Sequence, residues 1–168
     1  AFRHRRWLLE AGLVALFAAL AWRHGVSWSL AIATLHVSAL VLIAVTDLER
    51  RIVPNAVVLP AMGATLALTA LRCPSCLPNV LLGGGVAFFL FLFLAVVYPG
   101  GMGLGDVKLA GYVGLIAGFP RVMSCLLLAV LAGGLVAAVL LVTGRVQRRS
   151  YLPYAPFLVL GAGLALFF

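Results

Sequence analysis

Trp28-Ser-Leu-Ala-Ile-Ala-Thr-Leu-His36-Val-Ser-Ala-Leu-Val-Leu-Ile-Ala-Val-Thr46 is a run of nineteen residues without a charge. As a helix it extends about 28 Å, close to the hydrocarbon thickness of a bilayer. It ends on Asp47, one of only four acidic residues in the 168-residue chain. The whole sequence shares its character, being 65% hydrophobic with a mean hydropathy of +1.21 and only 10% charged residues. Soluble domains carry about 25% charge. The composition therefore predicts an integral membrane protein, with a single membrane-embedded domain over residues 1–168 and no separate soluble domain. The fold class expected is all-α, a polytopic transmembrane bundle of six to seven helices. A net charge of +8 would suggest nucleic acid in a soluble protein. Here the basic residues sit in short breaks between apolar runs, so they read as topology signals and the lipid bilayer takes the place of a nucleic-acid partner.

Working outward, Asp47-Leu-Glu-Arg-Arg-Ile-Val-Pro-Asn55 combines charge with a proline and predicts a helix end at Asp47 followed by a loop. On the other side, residues 7–22 follow Arg3, Arg5 and Arg6 and superficially resemble a signal peptide. Glu10 inside the run and the poor cleavage site Ala-Trp-Arg-His at its end argue for a short first helix. Further runs cover 56–71, 80–97, 106–118, 122–142 and 157–168. Gly83-Gly84-Gly85 within the fourth predicts close helix packing. With seven spans, Arg3, Arg5, Arg6, Arg50, Arg51, Lys108, Arg145, Arg148 and Arg149 fall on one side, and Arg23, Arg72 and Arg121 on the other. The positive-inside rule then places the N-terminus, Asp47 and the loop before Asp106 on the cytoplasmic side.

That loop is Tyr98-Pro-Gly-Gly-Met-Gly-Leu-Gly-Asp106, in which four of six consecutive residues are glycine. Glycine permits tight turns and close approach of another chain. Asp106 at the start of an apolar helix reads equally as a cap, since a carboxylate is favoured by the amides there. Asp47 and Asp106 nevertheless lie at the same membrane boundary and can meet. Two acids brought close in a low dielectric cannot both ionise cheaply, so one keeps its proton while the other serves as base. That is the chemistry of an aspartic protease: the base takes a proton from water and the acid polarises the scissile carbonyl. Glu49, beside Arg50 and Arg51, reads as a solvated loop charge, and Glu10 as an interfacial residue.

Asp47-Leu-Glu-Arg-Arg-Ile-Val-Pro-Asn55 and Gly101-Met-Gly-Leu-Gly-Asp-Val-Lys-Leu109 together resemble the type IV prepilin peptidases, membrane aspartic proteases of the GxGD type. In that family an aspartate precedes an Ile/Leu-Pro-Asp/Asn element, and a second completes Gly-x-Gly-Asp before Lys-Leu. Leu152-Pro-Tyr-Ala-Pro-Phe-Leu-Val-Leu-Gly161 resembles the family's last loop and helix. The similarity covers roughly residues 40–168, with the first helix peripheral to it. It implies Asp47 and Asp106 as the catalytic pair, and Gly101, Gly103, Gly105 and Lys108 as the active-site loop, without metal or cofactor. It also implies an enzyme of the cytoplasmic (inner) membrane, its site facing the cytoplasm, that removes the basic leader of a prepilin or pilin-like protein after the leader's Gly. Such processing belongs to type IV pili and protein secretion. Longer bacterial members carry a cytoplasmic segment with paired Cys-x-x-Cys elements and a methyltransferase activity. Nothing here matches that segment, so the expectation is the short, peptidase-only form.

Cys73-Pro-Ser-Cys76 is expected outside as a disulfide or two free thiols, since two Cys alone cannot complete a structural zinc site. Cys125 reads as packing. His36 lies eleven residues before Asp47, on the same helical face and about 16 Å deeper; a buried hydrogen-bonded histidine is the plainer reading. Lys108 reads as holding the glycine loop, as binding a backbone carbonyl, or equally as an interface anchor that snorkels to water. The rival function is a small transporter or channel in which Asp47 and Asp106 bind a cation or relay protons. No inverted repeat is detectable, and both acids sit at one face instead of the midplane. Presenilin-like proteases share Gly-x-Gly-Asp, but their Tyr-Asp and Pro-Ala-Leu elements are missing. If Gly105 admits substrate beside Asp106, Gly105→Ala should lose cleavage while stability stays near wild type.

Overall fold

The computed structural model describes residues 17–23, 25, 27–50, 52–97, 102–143 and 155–167. Every regular element among them is helical: α1 over 17–23, α2 Trp28–Arg50, α3 Asn55–Arg72, α4 Leu77–Val97, α5 Leu104–Ala117, α6 Arg121–Val142 and α7 Ala155–Phe167, with a 3₁₀ turn at Pro74–Cys76. The all-α bundle is thus the one expected. Gly101, Arg51, the 98–101 stretch and residues 7–16 of the first apolar run lie outside the described residues.

Among the described residues, four segments are long and apolar enough to cross a membrane: Trp28–Arg50, Asn55–Arg72, Pro74–Val97 and Arg121–Val139. Their outer faces carry exposed Leu35, Leu42, Leu59, Phe89, Phe93, Leu127 and Leu131, the surface that hydrocarbon would cover. α5 is different. Its fourteen residues reach only about 21 Å, too short to span alone, yet it forms the axis of the bundle, packed against α3, α4, α6 and α7. From Asp106 to Leu115 every residue except Lys108 is buried. A helix apolar on all sides belongs inside.

Glycine makes that enclosure possible. A Cβ added at Gly83 would lie 2.5 Å from the Gly114 carbonyl oxygen, one at Gly84 would strike Leu115, and one at Gly114 would strike the Gly83 carbonyl. The α4 and α5 backbones therefore touch through Gly83, Gly84 and Gly114. Gly85 faces open space, so two of the three glycines anticipated for packing serve it. α5 ends at Gly118, whose φ of +65° suits glycine. Cys125 is buried, with its carbonyl against Gly161 of α7, a packing role.

Four helix ends differ from the sequence expectation by two residues or more: α4 begins at Leu77 instead of 80 and α7 at Ala155 instead of 157, and the ends beside the two acids shift as well. α2 does not stop at Asp47 but runs on to Arg50, because Leu48, Glu49 and Arg50 are good helix formers that face solvent. Ile52, Val53 and Pro54 lie outside any helix, and Pro54 precedes α3 with φ −72° and ψ 117°. α5 begins two residues earlier than expected, so Asp106 is its third residue and not its first.

Candidate active site

The buried residues of α2 are Ala33, His36, Val37, Leu40, Ile43 and Asp47, a single stripe at helical spacing. Asp47 thus closes the core-facing side of α2 in its last turn, 3% exposed, while Leu48, Glu49 and Arg50 point outward. Thr46 is satisfied locally, donating to the carbonyls of Leu42 and Ile43 at 2.9 Å each. On α5, Asp106 is also 3% exposed. Its Oδ2 accepts the Gly103 backbone N–H at 3.4 Å, the reach-back half of a capping box; glycine has no side chain for the other half. The capping reading of Asp106 is therefore correct and does not exclude a second role.

Asp47 and Asp106 line one cavity of about 280 Å³, together with Ile52, Val53, Asn55, Gly103, Leu104, Gly105 and Lys108. At roughly 30 Å³ per water it has room for a peptide group and a water. Its walls come from both motifs singled out in the sequence. The two carboxylates, Gly103, Gly105 and Lys108 are brought together as expected, while Glu49 stays outside.

Two contacts tie the motifs to each other. Lys108 Nζ donates to Asn55 Oδ1 at 3.0 Å, a side-chain partner on the first residue of α3 and so neither the glycine loop nor a backbone carbonyl. Gly105 packs on Val53: an added Cβ would stand 2.9 Å from Val53 Cβ and 3.2 Å from Cγ2. The space beside Gly105 is thus taken by the chain itself. This replaces the expectation that substrate occupies it. Gly103, with φ −81° and ψ 148°, is in ordinary extended backbone and has no conformational need for glycine.

The sequence reading gave no role to Asn55, Val53 or Tyr112. Asn55 and Val53 were visible as members of a motif, but their partners lie fifty residues away. Tyr112 Oη lies 2.9 Å from His36 Nδ1, both groups buried, so the histidine is the hydrogen-bonded core residue of the plainer reading. Cys73 and Cys76 form a disulfide at the opposite end of α3 from the acids.

A model of the type IV leader peptidase family matches residues 34–138. Among curated proteins, the chain is 36% identical over 154 residues to the prepilin leader peptidase/N-methyltransferase of Bacillus subtilis (strain 168), covering 89% of this chain and 60% of that protein. It is 28% identical over 163 residues to the protein of that name from Pseudomonas putida, covering 94% and 57%. With the Stutzerimonas stutzeri protein the identity is 26% over 164 residues, covering 95% and 57%. The chain spans about 60% of the length of these curated relatives. No solved structure matches it.

Proposed function

The chain belongs to the type IV leader peptidase family, and on that premise we propose that it is a membrane aspartic endopeptidase whose catalytic pair is Asp47 and Asp106. One observation carries the reading: two of the four acids in the sequence are buried side chains lining one cavity whose walls are the two family-like motifs. In the reaction an ionised carboxylate takes a proton from water, and the oxygen attacks the scissile carbonyl carbon. The other carboxyl gives its proton to the carbonyl oxygen. Collapse of the tetrahedral intermediate breaks the C–N bond: the departing amine takes the proton first removed from water, and one hydroxyl of the intermediate returns its proton to the acid as the new carbonyl forms.

Helix polarity supports one division of the roles. Asp106 sits in the first turn of α5, where unpaired amides favour negative charge, and Asp47 in the last turn of α2, where carbonyls disfavour it. Asp106 is then the base and Asp47 the acid. An asparagine at 47 still offers an N–H to the carbonyl, so Asp47→Asn should retain more residual cleavage than Asp106→Asn; the reverse order would exchange the roles.

The substrate is a prepilin or pilin-like protein, cut on the cytoplasmic side of the inner membrane after the leader's Gly. Support comes from the relatives named prepilin leader peptidase and from the excess of Lys and Arg in the segments flanking both acids. Arg50 and Lys108 would repel a basic leader, which leaves Glu49, the catalytic carboxylates and lipid headgroups to attract it. The test is a panel of purified prepilins added to the protein in liposomes, with intact mass of the products. A product beginning directly after the leader's Gly is expected. Intact prepilins throughout, with the protein folded, would overturn the reading.

A further inference from the structure

At the end of the bundle away from the two acids, α2 begins and α3 finishes, seventeen residues and so about 26 Å along α3 from Asn55. Two cavities adjoin there. The outer, about 390 Å³, has apolar walls from Ala31, Ile32, Leu35, Leu68 and Leu71, with Trp28 and Arg72 at its mouth. The inner, about 240 Å³, shares Ile32, Leu68 and Arg72 and runs to the polar side chains of His36, Thr65 and Thr69. Leu68 lies about 6 Å and Leu35 about 10 Å along their helices from Arg72 and Trp28. The outer cavity is thus charged at the membrane boundary and apolar toward the interior.

We propose that this groove between α2 and α3 holds one anionic phospholipid, its phosphate on the Arg72 guanidinium and one acyl chain along Ile32, Leu35 and Leu68. Charge complementarity selects the occupant: Arg72 is the one charged group lining either cavity among the described residues. The guanidinium carbon stands 5.2 Å from the Trp28 ring centroid. A guanidinium held over an aromatic face keeps its N–H edge free for phosphate oxygens. Tryptophan is also the residue of the headgroup level. Disulfide-bonded Cys73 and Cys76, which line the inner cavity, close the loop that follows Arg72.

The test is native mass spectrometry of the full chain in detergent, titrated with phosphatidylglycerol or with phosphatidylcholine of identical chains, and with sn-glycerol 3-phosphate as a chainless competitor. Wild type should retain one phosphatidylglycerol in preference to phosphatidylcholine. Arg72→Gln should weaken phosphatidylglycerol by about fivefold, the worth of one cation near a headgroup, and Arg72→Lys should weaken it less. Leu35→Trp, which fills the outer groove and leaves Arg72 in place, should lower retention of both lipids. Equal retention by Arg72→Gln or by Leu35→Trp would overturn the proposal, and so would equal binding of the two lipids. Displacement by millimolar sn-glycerol 3-phosphate would also overturn it, by showing a site for free anions. If Arg72→Gln melts with wild type lost, the Arg72→Lys and Leu35→Trp comparisons decide alone.

Discussion

Lys108 touches the residue that opens α3, so its ammonium holds the Ile52–Asn55 segment against α5. A hydrogen bond to a charged group contributes about 1.5–3 kcal/mol when shielded, and less when solvent reaches it. Taking about 1 kcal/mol, Lys108→Met should lower kcat/KM for a prepilin roughly fivefold, and Lys108→Arg should restore most of it; an unchanged kcat/KM in Lys108→Met would remove the contact from the site. Gly105→Ala meets Val53 Cβ, which belongs to a short side chain that cannot swing away. The variant should therefore lose both activity and melting temperature, by about 1–3 kcal/mol for an overpacked contact, and Val53→Gly should recover part of both. Activity lost with melting temperature intact would instead return that space to the substrate. The acids were legible in the sequence because they are rare, and a carboxylate that ends or begins an apolar run is conspicuous. Val53 and Asn55 were not, because their roles exist only once α3 and α5 lie side by side.

The seam between α4 and α5 brings two helix backbones together at Gly83 and Gly114, and the glycines of α4 differ sharply in what surrounds them. Gly83→Ala and Gly114→Ala each drive a methyl into a facing backbone, and should cost about 1–3 kcal/mol or prevent folding. Gly85→Ala, pointing into open space, should be neutral or stabilise by up to about 1 kcal/mol through helix propensity. Melting in detergent separates the three; equal effects would mean the two helices do not pack as described. Apolar run length located the long helices well, since each run had to match a bilayer. It located α5 and the end of α2 less well. The boundary of α2 was hidden because charged residues that continue a helix on its wet side look, in sequence, like residues that end it. The centrality of α5 was hidden because a short, uniformly apolar segment has no face that announces its neighbours.

For the whole molecule, the acids lie at one end of the bundle and the Cys73–Cys76 disulfide at the other, so topology and mechanism constrain each other. If the acids face the cytoplasm, a membrane-impermeant thiol reagent applied outside after reduction should label Cys73 and Cys76 in intact cells. Labelling confined to broken cells would invert the molecule. Replacing both cysteines by Ser should leave peptidase activity largely intact. The charge distribution that predicted this orientation was readable from the sequence alone, whereas the Lys108–Asn55 contact across the site cavity required the fold. The proposed activity depends on Asp47 and Asp106 acting as a pair, and the most direct measurement is prepilin cleavage in liposomes by wild type, Asp47→Asn and Asp106→Asn, with melting followed in parallel. Each variant should melt as wild type does while its turnover falls by about 10²–10⁴-fold, the contribution of a positioned acid or base; full cleavage by either variant would rule out the pair.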